Sequence, residues 1–176
     1  MFSQVRSTLD GNLFTGIFNP SLKMIVIGAV HITQTLAAIA RMTGYEVFIV
    51  DARERFASAE RVPEDTIVDA WPDAALAQIG VDARTAVVTL THDPKLDNPA
   101  LETALDSDAF YIGSLGSTRT HAKRVAHLKA AGFTEAQISR IHGPIGLDIG
   151  SASPAEIAVA IMAEVTESLR QPEARR

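Results

Sequence analysis

The sequence contains no cysteine among its 176 residues. This absence excludes disulfide bonds, thiolate metal ligands and a cysteine nucleophile, and it is compatible with a reducing compartment. The sequence also lacks any unbroken apolar run of the roughly 18–20 residues that cross a bilayer. Residues 1–12 do not show the basic and then apolar order of a secretory signal. We therefore expect a cytoplasmic protein without a membrane partner.

Several enzyme signatures are missing as well. The sequence has no G-x-x-x-x-G-K-[ST] run, which excludes a P-loop NTPase. It has no G-x-S-x-G elbow, which disfavours a hydrolase of that class. Neither tyrosine precedes a lysine by four residues, the pair that many short-chain reductases use for proton transfer. A net charge of −5 argues against nucleic acid as the partner. We find no catalytic set and expect a protein that is not an enzyme.

Short β-branched runs alternate with segments of helical periodicity along the chain. Strands are predicted at residues 24–28, 45–50, 66–68, 85–90 and 109–112, and helices at 32–43, 73–79, 98–105, 117–131 and after Ser153. This alternation predicts an α/β, Rossmann-like fold with a mostly parallel sheet and helices on both faces. The predicted domain covers residues 24–170. Residues 1–23 show no clear period and are interpreted as a lead-in or docking arm, and residues 171–176 as a polar tail.

Ligands of open parallel sheets bind beyond the carboxyl ends of the strands, so the loop after the first predicted strand is a candidate site. Its residues are Gly28, Ala29, Val30 and His31. The glycine permits a tight turn, and the helix that follows directs N–H groups at an anion. The dinucleotide fingerprint has glycine at three positions, but Val30 and Thr33 occupy the second and third. The valine crowds the approach of a pyrophosphate, and a plain turn without a ligand is the alternative.

The segments after the next strands also carry polar side chains. Asp51 follows Gly28 by 23 residues, close to the spacing of about 20 expected for a ribose-binding carboxylate. Asp51, with Arg53 nearby, is alternatively a solvated carboxylate at a strand end. Thr91, His92 and Asp93 follow the strongest predicted strand. A metal site is disfavoured there because adjacent residues point in different directions and no third ligand is spaced to match. Asp93, which precedes a proline, could simply begin a turn.

A fourth candidate segment combines glycines, hydroxyls and a basic helix start. Its members are Gly113, Ser114, Leu115, Gly116, Ser117, Arg119 and His121. Backbone N–H groups and hydroxyls suit an anion, and Arg119 would add a bidentate fork. The basic residues from Lys123 to Lys129 are interpreted as a solvated helix face. We expect this segment to bind the phosphate end of a ligand opposite Gly28–His31, provided that the two preceding strands are neighbours.

The runs IVIGAVHITQTLA, FIVDARERFASAERVP and VVTLTHDPKLDNPALETAL resemble the xanthine dehydrogenase accessory protein family (XdhC/CoxI). The runs YIGSLGSTRTHAKRV and IHGPIGLDIGSASPAEIAVAIMAE resemble it more specifically, so the likeness covers about Met24 to Leu169. Members of that family are maturation factors for molybdenum hydroxylases such as xanthine dehydrogenase. They bind the molybdenum cofactor, a phosphate-bearing pterin, assist its sulfuration and pass it to the apoenzyme.

The resemblance implies a molybdenum-cofactor binding and insertion factor whose ligand is molybdopterin or its dinucleotide form. It implies that the four segments above, with Pro144 to Asp148, line the ligand without catalysing a reaction. The implied partner is the apoenzyme, and the apolar side chains among residues 1–23 suggest that a second copy of the chain is another partner. Family members often carry an N-terminal domain with cysteine, and glycine where this chain has Val30, so a second accessory protein is also expected. The alternatives are an NAD(P)-dependent oxidoreductase and an interaction module with a vestigial nucleotide pocket.

Overall fold

The computed structural model describes residues 3–9, 12–18, 20–53 and 66–171, the first two ranges by their backbone. Its strands are β1 (Ser3–Leu9), β2 (Asn12–Phe18), β3 (Leu22–Ile27), β4 (Tyr45–Val50), β5 (Thr66–Val68), β6 (Thr85–Thr89), β7 (Tyr111–Ser114) and β8 (Ile141–His142). Its helices are α1 (His31–Met42), α2 (Pro72–Ile79), α3 (Pro94–Leu105), α4 (Thr118–Ala130), α5 (Glu135–Ile138) and α6 (Pro154–Arg170). No helix in these ranges is long and apolar enough to cross a membrane.

Six strands form a sheet in the order β5-β4-β3-β6-β7-β8, and every neighbouring pair is parallel. The chain builds one half outward from β3 to β5 and then crosses back to begin the other half at β6. Strand order therefore reverses between β3 and β6, which is where ligands bind in sheets of this type. The predicted α/β, Rossmann-like fold is confirmed.

The central strands are apolar on both faces, so alternate residues enter two separate cores. Met24 and Val26 of β3 pack with α1 and α6, while Ile25 and Ile27 pack with α2, α3 and α4. All four side chains are fully buried. Helices thus cover both faces of the sheet and leave the loops at the carboxyl ends of the strands accessible.

Several elements differ from the sequence-based expectation. Strands β1 and β2 pair antiparallel in a separate two-stranded sheet within the region that showed no clear period. Helix α3 begins at Pro94 rather than residue 98, because the Asp93 carboxylate accepts the N–H of Lys95 at 3.0 Å and caps the helix. Strand β7 lies two residues later than predicted. Residues 10–11 and 172–176, the latter most of the predicted polar tail, lie outside the described residues.

Candidate functional site

The loops that follow β3 and β6 touch each other at the point where strand order reverses. Gly28 adopts φ +110°, and a Cβ atom there would lie 2.7 Å from Cγ2 of Thr91. Both the backbone conformation and the close approach therefore require glycine. Together these loops, residues 28–31 and 91–93, form a continuous surface that we call the switch-point edge.

The first loop already uses several of its own N–H groups. Ala29 donates to Oδ2 of Asp51 at 2.9 Å, and Val30 donates to Oγ1 of Thr33 at 3.3 Å. The same Thr33 hydroxyl donates to the carbonyl of Gly28 at 2.6 Å. Thr33, at the third position of the dinucleotide fingerprint, thus holds the loop closed by a side-chain bridge. Side chains rather than these backbone donors would have to recognise an anion here.

Asp51 is fully buried, which contradicts the alternative of a solvated carboxylate. Both of its oxygens accept bonds from Arg53, at 2.8 Å from Nε and 2.8 Å from Nη2, in addition to the bond from Ala29. Burial opposes ionisation of Asp51, but the bonds from Arg53 and Ala29 outweigh it and lower the pKa. The carboxylate is committed to fixing the first loop and the half-buried Arg53, rather than being open to a ribose hydroxyl.

The segment after β6 is held by a second hydroxyl. Oγ1 of Thr91 accepts the N–H of Asp93 at 3.0 Å and donates to Oδ1 of the buried Asp97 at 2.6 Å. Between them His92 adopts φ +60°, an uncommon conformation for a non-glycine residue, and its side chain is exposed. Thr91 and Asp93 therefore have structural partners, whereas His92 is presented to solvent.

Gly113 and Ser114 belong to β7 and not to a loop, so the expectation that they line a ligand is corrected. Ser114 is fully buried, and its hydroxyl lies 2.5 Å from that of Thr89. A Cβ on Gly113 would collide with Ile145 and Tyr111, which explains the glycine by core packing. Strand β6 also separates β3 from β7. The condition for residues 28–31 and 113–119 to form opposite walls is therefore not met.

A cavity of about 260 Å³ lies between the start of α3 and the first half of α4. We call it the α3–α4 cavity. Its lining is His92, Pro94, Asp97, Asn98, Thr120, Lys123, Arg124 and His127. The residues predicted to form a solvated face of α4 thus contribute to a concave surface. Arg119 is exposed on the first turn and is not among these lining residues.

Asp97 and Arg124 form a nearly completely buried ion pair at the base of this cavity. Nη2 of Arg124 lies 3.3 Å from Oδ2 of Asp97 and donates to the carbonyl of Leu115 at 3.3 Å. Burial raises the pKa of Asp97, although the bonds from Thr91 and Arg124 oppose the rise. His121, one turn before Arg124, has its Nδ1 buried without an acceptor or donor in the described residues, and burial lowers its pKa.

A third buried carboxylate, Glu164 of α6, was not singled out from the sequence. Oε2 accepts the Tyr111 hydroxyl at 2.7 Å and the N–H of Gly146 at 2.7 Å, and Oε1 lies 3.1 Å from Nδ1 of His142. Burial opposes ionisation, but the bonds from His142, Tyr111 and Gly146 lower the pKa of Glu164 to about 2. The network fixes the loop containing Pro144 to Asp148 on α6. An acidic residue inside an apolar helical stripe was the signal for it.

Comparison with known proteins places these observations in a family context. A family described as the XdhC Rossmann domain matches residues 24–165. The molybdenum cofactor insertion chaperone PaoD of Escherichia coli is 30% identical over 93% of this chain, and a probable xanthine dehydrogenase subunit of Bacillus subtilis is 29% identical over 91%. A crystal structure titled as a xanthine dehydrogenase from Bacillus halodurans covers 93% of the chain with a TM-score of 0.75 and 25% identity.

These relatives are longer than the chain. It spans 45% of PaoD, 47% of the Bacillus subtilis protein and 47% of the Bacillus halodurans structure. The likeness is therefore to about half of each relative, and the family match at residues 24–165 covers all of the six-stranded sheet except Leu22 and Lys23.

Proposed function

Because the chain belongs to the XdhC Rossmann domain family, we propose that it binds the molybdenum cofactor and helps to insert it into a xanthine dehydrogenase-type apoenzyme. The observation that carries the proposal is the 30% identity to a molybdenum cofactor insertion chaperone over 93% of this chain. In this function the chain is a carrier that binds, protects and delivers a cofactor. It needs no turnover chemistry of its own.

The switch-point edge is the proposed position of the pterin. It lies at the reversal of strand order, where sheets of this topology bind their ligands. His31 and His92 present exposed imidazoles on its two loops. Arg53, fixed by its two bonds to Asp51, adds an oriented guanidinium at the neighbouring strand end. Hydrogen-bond donors with a positive charge fit the polar ring and phosphate of a pterin cofactor.

The partner required by this function is the apoenzyme that receives the cofactor. Delivery also sets an upper limit on affinity, because a carrier must release what it binds. The polar, open character of the switch-point edge fits a reversible complex better than a deeply enclosed site would.

The decisive experiment is a two-part reconstitution. Molybdopterin binding to the purified protein is measured by pterin fluorescence, and the loaded protein is then mixed with a xanthine dehydrogenase-type apoenzyme. We expect saturable binding and faster recovery of hydroxylase activity than with free cofactor. His31→Ala combined with His92→Ala should weaken binding, whereas Lys129→Ala, a charge loss on the remote part of α4, should not.

Failure of wild-type protein both to bind molybdopterin and to accelerate activation would refute the proposed function. A panel of alcohols, aldehydes and purines assayed with NAD(P) provides the comparison with an oxidoreductase. We expect no steady reduction of NAD(P) with any of them.

A further inference from the structure

The α3–α4 cavity lies at the carboxyl edge of the sheet, between the helices that follow β6 and β7. The switch-point edge lies next to it, beyond the ends of β3 and β6. Its volume of about 260 Å³ far exceeds the roughly 30 Å³ share of one water molecule. His92 belongs to both places, since it follows β6 and lines the cavity. A ligand at the switch-point edge could therefore extend one end into the cavity.

One of the buried polar groups that line the cavity is a guanidinium with unused bonding capacity. Arg124 is only 6% exposed, and its Nη1 is buried without a hydrogen-bond partner in the described part of the chain. An arginine side chain keeps its charge in proteins, and a buried charged donor without an acceptor is costly. An anionic oxygen in the cavity would supply that acceptor.

Asp97, the acidic residue in the lining, does not occupy Nη1 of Arg124. Oδ1 of Asp97 accepts the Thr91 hydroxyl and Oδ2 accepts Nη2 of Arg124, so each oxygen already has a partner. The pair also holds the guanidinium in a fixed orientation. Lys123, an exposed residue next to Arg124 on α4, gives the cavity lining a second positive charge, and Thr120 gives it a hydroxyl. His127 lies farther along the helix and bonds Glu102 at 2.8 Å.

We infer that the α3–α4 cavity binds a phosphate or diphosphate group through Nη1 of Arg124, Lys123 and Thr120. The inference rests on the proposed function only in taking this group to be the phosphate end of the pterin cofactor. The chemistry recognised would be the same for free diphosphate or for a nucleotide. Its two positive charges, on Lys123 and Arg124, lie four and five residues along α4 from the expected Arg119 fork.

The first test uses inorganic pyrophosphate, which contains the anionic group and nothing else. Titration followed by calorimetry should give saturable 1:1 binding that weakens with salt. In NMR spectra, the imidazole signals of His92 and His127 should shift during the titration, while His142, which lies on the other face of the sheet, should not. Absence of binding, or shifts confined to residues outside the cavity, would overturn the inference.

Matched variants of α4 test the residues. Lys123→Ala should weaken pyrophosphate binding about tenfold, the effect of losing one charge-assisted contact. Lys129→Ala removes the same charge from the same helix outside the cavity and should change binding less than about twofold. Arg124→Lys keeps the charge but loses the planar fork of N–H donors, so we expect pyrophosphate binding to weaken at least as much as in Lys123→Ala. Thermal unfolding verifies that each variant is folded, and equal effects of Lys123→Ala and Lys129→Ala would contradict the assignment.

Competition distinguishes this inference from the proposed function. Pyrophosphate should displace molybdopterin, and Lys123→Ala should weaken binding of both. If pyrophosphate binds in the cavity but molybdopterin does not bind the protein, the cavity assignment stands and the proposed function fails. If both molybdopterin and pyrophosphate bind Lys123→Ala and Arg124→Lys with unchanged affinity, the proposed function stands and the cavity assignment fails.

Discussion

Three buried carboxylates, those of Asp51, Asp97 and Glu164, have hydrogen bonds to both of their oxygens. A buried charge is tolerated only when it is paired and hydrogen-bonded. Each carboxylate joins segments that are distant in the sequence: the first loop to the end of β4, α3 to α4, or β7 and β8 to α6. Their hydrogen bonds therefore hold several of the loops at the carboxyl edge to neighbouring elements.

Glu164 provides a prediction about stability and pH. Its pKa is about 2 in the folded protein, below the ordinary value of 4.5, so ionisation stabilises the fold. That contribution is fully present above pH 4.5 and is lost as the pH falls from 4.5 towards 2. Glu164→Gln should lower the free energy of unfolding by about 1–3 kcal/mol at pH 7, and the difference from wild type should shrink below pH 4.5. Urea unfolding at pH 7, 4 and 3 measures it, and a difference independent of pH would contradict the assignment.

Val30 provides a prediction about dinucleotides. Removing its side chain creates space but leaves the N–H groups of Ala29 and Val30 bonded to Asp51 and Thr33. We therefore expect weak NAD binding in the wild type, with Val30→Gly leaving it unchanged or slightly tighter. Calorimetry with NAD decides the matter. Micromolar wild-type affinity that is destroyed by Val30→Gly would show that the loop binds dinucleotides after all.

At the scale of elements, Asp93 is both a candidate site residue and the N-cap of α3. Its carboxylate accepts the backbone N–H of Lys95 and so caps the helix. Pro94 follows at the first helical position, where proline is favoured. Asp93→Ala should lower the free energy of unfolding by about 1 kcal/mol, the usual value of an N-cap. Asp93→Ser keeps a capping oxygen and should restore most of the loss. Chemical unfolding of both variants gives the comparison, and a stability unchanged by Asp93→Ala would mean that the cap is not formed in solution.

The strands β3 to β7 could be predicted because the central ones are apolar and β-branched on both faces, which leaves a local signal in the sequence, whereas β1, β2 and β8 were not predicted. The start of α3 was missed because Pro94 and Pro99 interrupt its pattern, although Asp93-Pro94 is itself a helix-start signal. Gly113 resembled a loop residue because the packing that requires it, against Ile145, lies far along the chain. Local patterns indicate where a strand ends, but not what packs against it.

The candidate site depended even more on long-range pairing. Tyr111 and Glu164 are 53 residues apart, and Asp97 and Arg124 are 27 apart. Neither pair has a spacing that any local motif records. Polar residues that follow predicted strands could be assigned to the carboxyl edge, because the carboxyl ends of parallel strands all lie at the same edge of the sheet. It could not show which of them were already committed to partners, and that distinction separates Asp51 and Thr91 from His92 and Lys123.

For the whole molecule, the order of the six parallel strands puts the polar loops of the candidate site on one edge of the sheet. The amino-terminal hairpin, β1 and β2, forms a sheet of its own. Strands β1 and β2 pair with each other along seven residues and with no strand of the larger sheet. An isolated two-stranded sheet is marginally stable at best in water. The hairpin therefore needs another surface against which to pack, and the docking role predicted for residues 1–23 would supply one.

Removing residues 1–19 tests that role. The described members of both hydrophobic cores begin at Leu22, and Pro20, whose carbonyl accepts Nε of Arg84 at 2.6 Å, is retained. We therefore expect the truncated protein to keep the melting temperature of the full chain within a few degrees, the effect of a change of about 1 kcal/mol or less. Its self-association, or its capture of the apoenzyme, should weaken clearly. Sedimentation analysis and an apoenzyme pull-down measure these effects beside thermal unfolding. Unchanged association on both measures would exclude docking by the hairpin, whereas loss of the folded state would show that it belongs to the core.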